Sequence, residues 1–242
     1  MKKILLITGG SRGIGAATAR ACVDIFNHIV ITYHQRQAAA AEVVKQLSIQ
    51  CAATALPLDV SDENAVMDVF KQIDTLDGVL SGLVNNAGIV APATDLAGID
   101  GHRLQQMFAT NVFGTLYCCR EAIKRMTAGA SIVNIGSVAA KFGSPGEYID
   151  YAASKGAVDT LTLGLAKEVA ARNIRVNCVR PGIIDTDIHS DSGDRRRPQK
   201  LARQVPLLRP GEAEEVAQAV RWLLSDSASY TTGSLIDVSG GR

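Results

Sequence analysis

The run Lys3-Ile4-Leu5-Leu6-Ile7-Thr8, followed at once by Gly9-Gly10-Ser11-Arg12-Gly13-Ile14-Gly15, decides the fold. An unbroken apolar run marks a strand buried on both faces, the situation in parallel sheets covered by helices. The glycines let the backbone turn sharply, and a helix over 16–22 then offers free N–H groups at its start to an anion such as a pyrophosphate. By itself the same turn also reads as an ordinary tight connection between strand and helix. The alternation continues along the chain, with strands expected over 3–8, 28–33, 53–59, 82–85, 130–136, 175–181 and 235–238 and helix-period segments between them. Pro57 inside the third run removes a ladder hydrogen bond, which places that strand at an edge, as in the 3-2-1-4-5-6 order of doubly wound sheets. The expected fold is therefore a Rossmann-type doubly wound α/β domain, a seven-stranded parallel sheet with helices on both faces, spanning residues 1–242 as one unit.

Composition narrows the function classes. With 47% hydrophobic and 20% charged residues, the 242-residue chain is not of the disordered kind. Lys+Arg 25 against Asp+Glu 24 leaves no field to gather nucleic acid or anionic lipid. Apolar runs stay far below the ~20 residues of a membrane span, and the start leads directly into a strand, so a cytoplasmic protein is expected. Cys22, Cys51, Cys118, Cys119 and Cys178 form an odd set without a C-x-x-C pair, and His28, His34, His102 and His189 are scattered. Neither a disulfide framework nor a metal site is expected. Ser61, followed by Asp62, Glu63 and Asn64, reads as the N-cap of a helix running to about Thr75. Two stretches, 89–102 and 182–200, lack periodicity and are candidate binding loops. The second contains Asp191-Ser192-Gly193-Asp194 and Arg195-Arg196-Arg197, read as a solvated segment beside its own carboxylates.

Four further groups carry chemistry. Asn85-Asn86-Ala87-Gly88 follows the fourth strand, where the order of a doubly wound sheet reverses and a crevice opens. Asp59-Val60 ends the third strand, where a carboxylate either accepts from an adenine amino group or simply terminates the strand. Tyr151-Ala152-Ala153-Ser154-Lys155 sets a phenol and an ammonium one helical turn apart on a shared face. A cation there offsets the roughly 4 kcal/mol needed to bring a phenol from about 10 to about 7. Of the five tyrosines only Tyr151 has a lysine at i+4. Ser137 ends the fifth strand and points into the same crevice; with no histidine in sequence reach and no G-x-S-x-G around it, acyl transfer is disfavoured.

These residues resemble the short-chain dehydrogenase/reductase family, in its branch of roughly 250-residue single-domain enzymes, and glucose-dehydrogenase-like and 3-oxoacyl-carrier-protein-reductase-like members within it. The resemblance rests on Thr8-Gly9-x-x-x-Gly13-x-Gly15, Asp59, Asn85-Asn86-Ala87-Gly88, Asn111, Ser137, Tyr151-x-x-x-Lys155 and Pro181-Gly182-x-x-x-Thr186, all in family order. It implies hydride transfer between a nicotinamide cofactor and a secondary alcohol or ketone. Tyr151 would be the general acid/base, Ser137 would orient the carbonyl, Lys155 would tune the phenol and bind the nicotinamide ribose, and Asn111 would hold a relay water. The implied cofactor-binding set is Thr8, Gly9, Ser11, Arg12, Gly13, Ile14, Gly15, Tyr33, Asp59, Val60, Asn85, Ala87, Gly88, Tyr151, Lys155, Pro181, Gly182, Ile184 and Thr186, with a substrate loop over 182–200. A homodimer or homotetramer is implied, as is a small-molecule carbonyl or alcohol substrate. The rival reading is a non-catalytic dinucleotide sensor. Ser137 stands fourteen residues before Tyr151, which implies a slightly enlarged substrate-side loop at Gly143-Ser144-Pro145-Gly146.

The end of the second strand, Thr32-Tyr33-His34-Gln35-Arg36, lacks the carboxylate that would accept from the adenosine ribose and repel a 2′-phosphate. Arg12, with Arg36 as a second donor, could meet that phosphate through charge-assisted bonds. NADP(H) is the expected preference, with NAD(H) as the alternative.

Overall fold

The structure, a computed structural model, describes residues 1–187, 193–194 and 196–242. The strands are β1 Lys3–Ile7, β2 His28–Tyr33, β3 Ala52–Pro57, β4 Val79–Asn85, β5 Ser131–Ile135, β6 Arg175–Pro181 and β7 Leu235–Val238. The α-helices are α1 Gly13–Ala21, α2 Gln37–Leu47, α3 Glu63–Ile73, α4 Gly101–Phe108, α5 Gly114–Arg125, α6 Ala139–Phe142, α7 Ile149–Val169, α8 Arg197–Leu201 and α9 Ala213–Leu224. All seven strands pair in parallel in the order β3-β2-β1-β4-β5-β6-β7. Pro57 ends the edge strand β3 opposite Tyr33, where its missing N–H leaves no ladder bond unmade. Of the loop expected over 182–200, residues 188–192 and 195 lie outside the described residues, and with them Asp191 and Ser192 of the Asp191-Ser192-Gly193-Asp194 run and the first of the three arginines.

Alternation along β1 builds two cores at once, because successive side chains of a strand point to opposite faces. Ile4 and Leu6 pack with Phe70 of α3, Cys118 of α5 and Val169 of α7. Leu5 and Ile7 pack with Ala16 of α1, Val43 of α2 and Val220 of α9 on the other face. Every one of these four β1 side chains is fully buried. The sheet is thus clamped from both sides, and the carboxyl ends of β1 and β4 are left at the point where strand order reverses. No helix among the described residues is long and apolar enough to cross a membrane.

Two boundaries differ from the sequence reading. The first helix starts at Gly13 rather than at Ala16, with Arg12 as its extended N-cap residue, so two of the loop glycines form the opening turn themselves. The cap of α3 is Asp62, not Ser61: the Asp62 carboxylate accepts from the N–H groups of Asn64 and Ala65. Ser61 instead gives both its N–H and its hydroxyl to Asp59, at 2.9 and 2.6 Å. A carboxylate at the positive end of a helix is favoured over a hydroxyl already engaged elsewhere. Asp62→Ala should therefore lower stability by about 1 kcal/mol, seen as a lower urea midpoint at unchanged slope.

Candidate active site

Thr8 stands at the carboxyl end of β1, and its hydroxyl accepts the N–H groups of Asn86 and Ala87, both at 3.0 Å. The Asn86 side-chain amide returns the contact, donating to the carbonyls of Thr8 and Gly9 at 2.9 Å each. The glycine turn is thereby fastened to the Asn85-Asn86-Ala87-Gly88 turn. Gly9 has φ +64, and a Cβ there would stand 3.0 Å from the Ala87 Cα, so both conformation and space require glycine. On its other side the turn is tied to the end of β2, where Thr32 accepts from Gly9 and Gly10. The N-cap residue Arg12 makes no side-chain capping bond to the start of α1, and Ile14 faces the cavity beside it.

That cavity, of about 350 Å³, is walled by Ile14, Asn86 and Gly88 on one side and by Ser137, Tyr151 and Lys155 on the other, with Pro181, Gly182, Ile184 and Thr186 closing its rim. The i, i+4 spacing on α7 does bring Tyr151 and Lys155 together, with the ammonium 5.8 Å from the phenol ring centre. Lys155 is buried and donates to the carbonyl of Ile135 at 2.8 Å. Burial pushes the Tyr151 phenol up to about 12, while the Ser137 hydroxyl pulls it the other way. The same burial pushes the Lys155 ammonium down to about 8. Within the chain itself desolvation of the phenol outweighs the Ser137 hydrogen bond. This corrects the expectation that the ammonium alone brings Tyr151 near neutrality.

Asn111 lies in a π-helical turn, 109–113, between α4 and α5, a distortion that frequently marks functional positions. Its amide donates to the Ile89 carbonyl and to Ser154 Oγ, each at 3.0 Å, and its oxygen accepts from the Ile89 N–H at 2.9 Å. A Cβ on Gly88 would stand 3.2 Å from Asn111 Oδ1 and 3.5 Å from Lys155 Nζ, so the two side chains meet across that glycine. The loop before α7 turns through left-handed residues at Gly143, Ser144 and Gly146, and Ser144 and Pro145 line the cavity.

At the opposite end, Arg12 and Arg36 converge on one carboxylate: their Nη1 atoms lie 3.9 and 4.0 Å from Asp187 Oδ2. Thr186 packs beside Gly13. Ser11 and Tyr33 are half-buried, and Val60 is buried in the core. Asp59 is braced by Ser61 with His34 nearby at 3.7 Å, and its pKa is lowered by the Ser61 bonds against the opposing effect of burial.

One expected contact residue turns away. The Asn85 side chain is buried and donates to Asn134 Oδ1 at 2.8 Å, so it braces the sheet from below and does not face the cavity. The neighbouring Asn86, which the sequence reading quoted without assigning it a role, is the residue that faces the crevice; Asp187 and Arg197 stood only within the substrate loop expected over 182–200, and Arg242 was given no role. Alternation held the signal for Asn85, since it shares a face with the core residue Leu83.

Comparison with known proteins gives a family. A family model described as Enoyl-(Acyl carrier protein) reductase matches residues 9–242. The chain is 50% identical over 246 aligned positions to the uncharacterized oxidoreductase YgfF of Escherichia coli, covering 99% of each. It is 39% identical to carbonyl reductase family member 4 of Xenopus laevis, covering 100% of this chain and 98% of that protein. A short chain dehydrogenase from Burkholderia cenocepacia, solved in complex with NADP, superposes with a TM-score of 0.91 at 29% identity over 99% of this chain and 96% of the other. The chain belongs to the short-chain dehydrogenase/reductase family, and it is an oxidoreductase of that type.

The two shifted groups make opposite contributions to stability. Between pH 8 and its ordinary 10.5, Lys155 binds a proton in the unfolded chain that the folded protein does not hold, so stability rises with pH across that window. Tyr151 keeps its proton in the fold to about 12 against an ordinary 10, so its contribution is lost as pH climbs above 10. The difference in unfolding free energy between the wild type and Lys155→Met isolates the lysine. It should move in favour of the wild type from about pH 8 to 10.5; a flat difference would place the Lys155 pKa at its ordinary value.

Proposed function

We propose that this chain transfers hydride between NADP(H) and a secondary alcohol or ketone, with Tyr151 giving or taking the proton. The observation that carries this reading is the meeting of Ser137, Tyr151 and Lys155 around one cavity, with Asn111 beside Lys155 across Gly88. The residues present suit a dinucleotide: an uncapped helix start, a glycine turn pressed against Ala87, and two guanidiniums at the far end. When bound, the nicotinamide group supplies or accepts the hydride. Lys155, Pro181, Gly182, Ile184 and Thr186 would hold its nicotinamide half, and Thr8, Gly9, Ser11, Gly13, Ile14, Gly15, Ala87 and Gly88 its pyrophosphate side. Tyr33, Asp59 and Val60 would flank the adenine.

Ser137 receives the substrate oxygen in a hydrogen bond and sets it against the Tyr151 hydroxyl. A phenol held neutral by burial is the protonation state that donates to a developing alkoxide. Lys155 places a positive charge beside that phenol and favours its ionised form after the proton leaves. Asn111 completes the relay through a bound water. Residues 1–242 would act as one cofactor-binding domain in the cytoplasm, with 182–200 as substrate loop. Half-exposed apolar side chains on α4, α5 and α7, Leu104, Leu116 and Leu163, fit a homodimer or homotetramer.

Tyr151→Phe should retain cofactor binding and lose turnover by about 10² to 10⁴-fold on any ketone from a carbonyl panel followed by NADPH absorbance. Near wild-type kcat in that variant would remove Tyr151 as the proton donor. For the cofactor, Arg12 and Arg36 would meet a 2′-phosphate in place of Asp187. Arg12→Ala should lower the NADPH/NADH ratio of kcat/KM by about ten- to a hundred-fold, mostly through NADPH. A wild-type ratio favouring NADH would sink the assignment.

A further inference from the structure

Among the described residues the charged side chains lining the cavity are Lys155, Arg197, Arg242 and Glu147, three cations against one anion. Lys155 lies at the reacting end. The two arginines stand beyond Tyr148, the aromatic neighbour of Tyr151, whose ring it meets edge-on at 5.7 Å between centres. Arg197 lays its guanidinium over the Tyr148 ring, 5.1 Å from the centroid, and one aromatic ring therefore separates it from Tyr151. Its Nη2 donates to Glu147 Oε2 at 2.7 Å and to the Tyr148 hydroxyl at 2.6 Å. A guanidinium carries five N–H donors in a planar fork, and here Nη1 and Nε donate to no described residue. The Arg197 side chain is only 16% exposed, so the donors that Glu147 and Tyr148 leave over sit in a wall that water reaches poorly.

Arg242 approaches the same end from the other side. Its guanidinium faces the Phe142 ring at 5.7 Å, and its side chain makes no hydrogen bond or ion pair with any described residue. Its positive charge is felt at the Tyr148 phenol, together with that of Arg197. The same cavity is also lined by Val90, Phe142, Pro145 and Ile183, which suit a short hydrocarbon chain.

We propose that the cavity takes a carbonyl substrate carrying a carboxylate, whose carbonyl meets Ser137 and Tyr151 and whose carboxylate is held by Arg197 and Arg242 one aromatic ring away. The inference rests on the carbonyl-reducing reading of the same site. Charge-assisted bonds from guanidinium to carboxylate are the strong class of hydrogen bond, and a forked donor selects a planar anion over a neutral amide of equal shape. Glu147 is the resident counter-ion: it holds Arg197 in place and competes with the substrate for Nη2.

Calorimetric titration of the NADP-loaded protein with levulinate and with its neutral amide tests this directly. Levulinate should bind about ten- to a hundred-fold more tightly than the amide. Arg197→Gln and Arg242→Gln should each erase most of that preference, the second without touching the segment that holds α8. Glu147→Gln should enlarge it, because the competing carboxylate is gone; a purely structural role for Glu147 would instead weaken both ligands together. Equal affinity for acid and amide, no heat from either, or a preference intact in both arginine variants would overturn the proposal. These heats do not depend on turnover, so a failure of carbonyl reduction appears separately, as unchanged NADPH absorbance over neutral ketones.

Discussion

The site depends on one hydroxyl. Thr8 Oγ1 accepts two backbone N–H groups from the turn after β4, and Asn86 answers with two bonds to the carbonyls of Thr8 and Gly9. In a doubly wound sheet the two chains leaving β1 and β4 diverge to opposite faces, and nothing in the ladder itself holds their turns together. These four bonds do. They fix the glycine turn against Ala87 and so set the distance between the start of α1 and the wall formed by Gly88, Asn111 and Lys155. The pairs are partly buried, so leaving one partner unsatisfied costs more than the bond contributes when made.

A second constraint works from β5 outward. Ser137 follows the strand and Tyr151 rides on α7, which packs against β6, so their separation is set by rigid elements and not by loop conformation. Lys155 is anchored to the carbonyl of Ile135, the last residue of β5, which ties helix and strand directly. The burial that shifts both titrating groups is therefore a property of the fold rather than of a mobile segment. It keeps the phenol protonated within the chain.

The elements whose signals are local were legible in the sequence. Pro57 announced an edge because a missing donor has only one tolerable place in a sheet. The Tyr151 and Lys155 pairing followed from helical period, and the glycine turn from its position after β1. What failed did so for reasons of competition. Ser61 and Asp62 are both good caps, and only the three-dimensional neighbour Asp59 decides which hydroxyl or carboxylate remains for the helix. Asn85 and Asn86 look alike, yet the pleat sends one into the core and the other to the crevice. Arg197 and Arg242 are separated by a strand, a helix and two turns, and no period or spacing links them to Tyr148.

Overall charge concealed the same fact. A net charge of +1 gives no field, yet cations gather at both ends of one crevice, each end with a carboxylate already in place. Asp187 stands between Arg12 and Arg36, and Glu147 against Arg197. Such resident anions hold long side chains in position before any ligand arrives, so less rotamer freedom is lost on binding. They also make anion binding an exchange of partners, which alters what each end can select. A phosphate monoester carries about 1.5 to 2 negative charges and three acceptor oxygens against the single charge of a carboxylate, so on the proposed reading exchange with Asp187 would run toward the phosphate. A substrate carboxylate carries the same charge as Glu147. There the gain comes from the donors that Glu147 leaves over, Nη1 and Nε of Arg197 and the guanidinium of Arg242, and selection at that end follows geometry more than charge.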